Sequence, residues 1–288
     1  MELGLDFEDT DFIEEKKTAA NESKLKSYNA KVCGPMWFEE TEFLDLETAA
    51  NVYKFRGDQR YYHNQYEEAV SCYKDALENL PLTNRCMRHD LNESLARCYV
   101  ALEKTAEALE LTQNLINSST NTDQTLQAYV LLHHIQHKQQ DLEGEEASLK
   151  QLITLHPFNV EFWLMLKTCY WQKFCADDWM KWDQQSQEYT KLLTCLIRAR
   201  LLIRSVRTSV ISFVKERHQR LMKQVDADIE KLQPTEPCIA LAKKHLGEDI
   251  FKLDNAEDTI KEPPEQDQNT EFLNFDERWF KWNSIALK

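Results

Sequence analysis

Glycine is scarce in this chain, occurring 5 times in 288 residues, and proline only 7 times. An all-β sandwich or an α/β nucleotide-binding fold needs many tight turns and close backbone approaches, and glycine usually supplies both. Neither the G-x-G-x-x-G fingerprint nor the G-x-x-x-x-G-K-[ST] phosphate loop occurs. The eight cysteines form no C-x-x-C pair. They sit within apolar helical patterns and not at the loop positions of secreted disulfide scaffolds, so they read as reduced thiols. The N-terminus, MELGLDFEDTDF, is acidic and lacks an apolar signal core. The longest apolar runs, such as Phe162 to Leu166, are far too short to span a bilayer. These absences predict a protein of the cytoplasm and/or nucleus, with no membrane partner. No nucleophile elbow and no kinase or deaminase signature is present, so the chain is expected not to be an enzyme and to need no cofactor.

What is abundant is Leu, Ala, Glu, Gln and Lys, the composition of a chain that is nearly all α-helix. The net charge is −14, and it sits at the ends. Residues 1–48 carry 13 acids and 5 bases, and residues 248–288 carry 11 acids and 5 bases, which leaves residues 49–247 neutral. A balanced folded core with two acidic ends follows. Residues 252–270, polar, acidic and proline-containing, read as a flexible linker.

The segment ANVYKFRGDQRYYHNQYEEAVSCYKDALENLP, from Ala50 to Pro81, is the most informative. Small Gly57 and Ala69 would let two antiparallel helices touch, Tyr61, Tyr66 and Tyr73 would fill the space beside them, and Pro81 would stop the second helix. Asn64 stands where a turn glycine is usual, and Asn tolerates a left-handed backbone. This pattern resembles the tetratricopeptide repeat. Weaker copies start at His89 (Ala96, Tyr99, Ala108, Leu115), at Leu126 (Leu142, Leu149, Leu152, Pro157, with His133 and Glu145 in place of small residues) and at Val160 (Trp163, Leu166, Tyr170). The starts step by 39, 37 and 34 residues, with the extra length expected in loops around residues 82–86 and 117–123. The resemblance implies an all-α solenoid of about four helix pairs over residues 49–175. Residues 176–250 would add long amphipathic capping helices, with a break near Ser205–Ser209 and a short helix after Pro234 and Pro237. Residues 251–288 would form an acidic linker and an aromatic C-terminal segment.

The resemblance also implies a groove lined by the first helix of each pair: Lys54, Asp58, Tyr61, Tyr62, Arg97, His134, His137, Lys138, Thr168, Trp171 and Gln172. The family's chaperone-carboxylate clamp is not expected. Lys54 matches it, but Asp58, Ser94, Gln127 and Leu131 replace the remaining amide and basic residues, and Asp58 would repel a carboxylate. A mixed aromatic and polar groove suits an extended or helical segment of a protein partner. The chain is therefore expected to be a non-enzymatic adaptor.

Three further features stand out. His133, His134 and His137 could share a helix face, but the H-E-x-x-H zinc pattern is not met and no third ligand is placed by spacing. We read His133 as packed between helices and expect no metal. Residues 198–223 hold eight basic residues against Glu216, with Arg200, Arg204 and Arg207 on one stripe. That stripe supports an alternative, a nuclear nucleic-acid-associated factor, which two acidic ends disfavour. Finally Phe275, Trp279, Phe280 and Trp282 would either dock on the chain's own helices or anchor a partner.

Overall fold

The computed structural model describes residues 37–40, 45–174, 186–205, 212–250 and 274–282, and every regular element among them is an α-helix. Helices α1 (Trp37–Glu40), α2 (Leu46–Tyr62), α3 (Tyr66–Asn79), α4 (Arg85–Ala101), α5 (Thr105–Ser118), α6 (Thr122–Gln139), α7 (Leu142–Leu155) and α8 (Val160–Phe174) come first. They are followed by α9 (Gln187–Ser205), α10 (Ser212–Leu232), α11 (Glu236–Leu246) and α12 (Phe275–Phe280). From α1 to α10 each helix packs on the next in sequence. The acidic residues 1–36, the proposed linker acids of 251–273 and Arg207 lie outside the described residues.

Starts and stops are set locally. Asp45, Asn84, Asn121 and Asp141 each place a side-chain oxygen on a first-turn N–H, of Thr48, Met87, Gln124 and Gly144 respectively. Such caps satisfy donors that a helix start leaves without partners. The turns joining α2 to α3, α4 to α5 and α6 to α7 share one geometry. Asn64, Glu103 and Gln140 take left-handed backbone at φ 62, 59 and 56°, at steps of 39 and 37 residues. The following N–H then reaches back five residues: Gln65 to Arg60, Lys104 to Tyr99 and Asp141 to Gln136, at 2.8, 2.9 and 3.0 Å. This is the six-to-one bond of a Schellman stop. Asparagine was the expected residue for it, but glutamate and glutamine hold it too.

One expectation needs correction: residues 80–84 do separate α3 from α4, but only 119–121 separate α5 from α6, and the first helices α2 and α4 each run 17 residues. A Cβ placed on Gly57 would first meet ring atoms of Tyr73, whose hydroxyl donates to Asp58 at 2.8 Å. Ala69 is itself fully buried beside that ring in the first core cluster.

The C-terminal half is organised differently. Helix α9 contacts α8, α10, α11 and α12, and every residue from Leu192 to Ala199 is buried. It is therefore a central helix along this stretch, not a cap with one face in solvent. Of the break expected near Ser205–Ser209, residues 206–209 lie outside the described residues, and the short helix after Pro234 is α11.

Candidate functional site

The first helices of the pairs bring part of the expected groove together. On α2, the Lys54 ammonium sits 2.7 Å from Asp58, whose other oxygen accepts from Tyr73. Both charges are thus satisfied internally, and no free lysine–amide pair stands ready for a carboxylate. Tyr61 rests edge-on against Tyr66 at 5.4 Å, and burial raises its hydroxyl pKa against the opposing pull of the nearby Arg97 charge. Arg97 on α4 forks onto Glu93. Desolvation, then the neighbouring Lys138, His137 and Arg97, lowers the pKa of His134 on α6. Lys138 reaches across to the Val100 carbonyl on α4 at 3.2 Å. Tyr61, Arg97, His134 and Lys138 therefore form one row.

Other expected groove residues stand apart from that row. His137 turns toward α7, where its Nδ1 lies 2.9 Å from the buried carboxylate of Glu145. Tyr62 is 81% exposed at the end of α2, beside His63. On α8, Thr168 and Gln172 are exposed, while Trp171 lies under the Lys231 ammonium of α10 at 5.7 Å. His133 is buried between helices, and no group of three His, Cys, Asp or Glu among the described residues is placed to hold a metal.

A second assembly is built around the C-terminal aromatics, which dock on the chain's own helices. Trp279 meets Trp163 edge-on at 5.0 Å, Phe275 lies 6.2 Å from Trp163, and Phe280 meets Tyr170 at 6.1 Å. Trp282 donates its indole N–H to Thr194 at 2.8 Å. Asp276 pairs with Lys150 at 2.7 Å. Lys150 also belongs to a cluster with Lys173 and Lys191 around Glu146, whose carboxylate accepts from the Tyr170 hydroxyl. Burial alone would raise the Glu146 pKa, but hydrogen bonds from Lys173 and Lys150 outweigh it and hold the group at about 2.

At the centre lies Arg198, which is completely buried. Its guanidinium forks onto Asp249, with one arm at 2.8 Å, and donates to the Leu246 carbonyl at the end of α11. It faces the Trp279 ring at 4.9 Å and Phe158 at 5.4 Å. A bidentate carboxylate, a helix-end carbonyl and two ring faces together offset its desolvation. The sequence carried one signal for this site, the arginines Arg198 and Arg200 within the apolar run LLTCLIRARLLI, without saying which of them is buried. The lysine cluster of α7, α8 and α9 left none, because its members lie far apart in the chain.

The basic stripe is partly engaged inside the fold. Arg200 pairs with Asp226 at 2.8 Å and Arg217 pairs with Glu161, whereas Arg204 is exposed. No helix among the described residues is long and apolar enough to cross a membrane.

Residues 1–178 match a family of unknown function (DUF5588). The chain is 29% identical over 310 residues to the uncharacterized protein C8orf76 homolog of Rattus norvegicus, covering 86% of this chain and 82% of the rat protein. It is 39% identical over 169 residues to the uncharacterized protein C8orf76 of Homo sapiens, covering 58% of this chain and 44% of the human protein. No solved structure matches it.

Proposed function

The chain belongs to the DUF5588 family, and we propose that within it residues 49–175 form a tetratricopeptide-type solenoid acting as a non-enzymatic scaffold. Its groove takes an extended or helical segment of a protein partner. The observation that supports this proposal is the recurrence of one left-handed turn at Asn64, Glu103 and Gln140, as expected if α2, α4 and α6 hold equivalent places in successive units. Equivalent placement would account for Arg97 lying within charge range of both Tyr61 and His134. Such a row of aromatic, cationic and imidazole groups offers stacking and hydrogen bonding to a peptide without a carboxylate clamp. The C-terminal aromatics, docked in cis through the buried Trp279 and Trp282, are left out of the proposed partner surface. The nucleic-acid alternative is disfavoured because Arg198, Arg200 and Arg217 already have carboxylate partners within the fold.

Affinity purification with the tagged full chain tests the proposal. Lys54→Glu with Arg97→Glu should remove a bound protein while leaving helicity unchanged. Unchanged recovery of every bound protein would reject the groove. A nucleic-acid ligand whose binding collapses between about 50 and 200 mM salt would instead support the stripe.

A further inference from the structure

Near the starts of α4 and α6, beside the end of α5, lies a cleft outside the groove. Arg85, Arg88, His89 and Asn92 line it from α4, and Thr120 and Gln124 line it from the start of α6. The chemistry of these six residues is one-sided. Arg88 donates to the Leu77 and Leu80 carbonyls at 3.1 and 2.9 Å, which fixes its positive charge in the wall. Arg85 is exposed and has no ion pair among the described residues. The Thr120 N–H and hydroxyl both donate to Gln124 Oε1, at 2.9 and 3.0 Å, so the oxygen of that amide is engaged and its nitrogen remains a donor. None of the residues lining the cleft is acidic, and the first turn of α4 has no acid either.

His89 is the independent observation. It is only 8% exposed, and its Nε2 is buried without a hydrogen-bond partner. A buried ring nitrogen left in that state is costly, and a native fold usually supplies it with a partner. Here it borders a cleft that holds two arginines and two amides, flanked by helix starts whose dipoles favour negative charge.

We propose that this cleft binds a phosphate group, carried by an ester or as the free ion. Arg85 and the Gln124 amide donate to its oxygens, His89 Nε2 joins them once the ring turns toward the cleft, and Arg88 supplies fixed positive charge. Donors from two helices suit a tetrahedral group with three terminal oxygens better than a planar carboxylate with two. The site is independent of the groove, and either could fail without the other.

Titration of the full chain with O-phosphoserine, and separately with inorganic phosphate, tests this at constant ionic strength set with chloride. Calorimetry reads the affinity, and histidine ring NMR signals, assigned with His89→Leu, read the site. The expected result is saturable one-site binding that shifts the His89 signals and weakens at least about tenfold in Arg85→Glu. Arg85 is exposed, so this variant keeps its fold even if His89→Leu does not. Tighter binding of phosphoserine than of inorganic phosphate assigns the ligand to an ester, and equal binding assigns it to the free ion; both uphold the site. Unsaturable shifts, affinity unchanged in Arg85→Glu, or equal binding of acetate would overturn it.

Discussion

The Trp282 indole and the Thr194 hydroxyl meet at 2.8 Å across 88 residues of sequence, and that hydroxyl in turn donates to the Thr190 carbonyl at 2.7 Å. Thr194 is therefore satisfied in both its roles although it lies in the most buried stretch of α9. The tryptophan, 1% exposed, fills the space beside it. Through this bond the last described turn of the chain becomes part of the core around α9.

Replacing Thr194 with Val keeps the shape and removes the acceptor. The stranded indole N–H should cost about 1–3 kcal/mol in urea unfolding. Trp282→Ala should cost about 3–5 kcal/mol by emptying a buried site. The Thr194→Val, Trp282→Phe double variant should cost less than the sum of its singles, because the two residues share the interaction. Wild-type stability in Thr194→Val would mean that the C-terminal segment does not occupy this seat in solution.

Arg198 and Asp249 give a second test. Asp249→Ala leaves a guanidinium buried without its carboxylate and should destabilise by about 3 kcal/mol. Arg198→Met combined with Asp249→Asn removes both charges and should cost less than Asp249→Ala alone. Chemical denaturation of the three proteins ranks them, and the reverse order would show that the pair contributes more than its own desolvation.

Stability should fall with pH in two windows. Burial, then the neighbouring His137 and His134, lowers the His133 pKa from 6.5 to about 4. The unfolded ring gains a proton before the folded one, so stability is full above pH 6.5 and falls toward pH 4. Glu146 is depressed from 4.5 to about 2, so its contribution is full above pH 4.5 and is lost as pH falls toward 2. Each window is worth on the order of 2 kcal/mol. Thermal unfolding against pH should lose the upper slope in His133→Gln and the lower slope in Glu146→Gln. Slopes that persist in both variants would place the titrating groups elsewhere.

A methyl group at Gly57 would lie 2.5 Å from Tyr73 Cε1 and 2.7 Å from Cδ1. The ring cannot easily swing aside, since it is buried and its hydroxyl is bound to Asp58. Gly57→Ala should therefore lower stability by about 1–3 kcal/mol. A midpoint equal to wild type in thermal unfolding would show that the α2–α3 contact is looser than this geometry.

Much of the helical architecture is legible in the residues themselves. Apolar spacing, side-chain caps such as Asn121 and Asp141, and the absence of glycine and proline across 184–232 act over a few residues, so they can be read along the chain. The α2–α3 turn was legible through Asn64, whereas Glu103 and Gln140 hold the same backbone with residues that give no such signal. Within the groove row, Tyr61, Arg97 and His134 follow from register, but the diversion of His137 to Glu145 depends on a neighbouring helix.

The sequence by itself determined that the chain is helical, where most helices begin and end, and that charge concentrates at its ends. These follow from backbone propensity, side-chain caps and composition, which need no distant partner. Only the tertiary structure decided that Arg198 is a buried ion-pair centre instead of part of an exposed stripe, and that Trp279 and Trp282 face inward. It alone brought Arg85 and His89 to one cleft with Gln124. Each of these outcomes depends on helices that meet across tens of residues, and local periodicity gives an aromatic or a charged side chain a helix face without saying what will cover it.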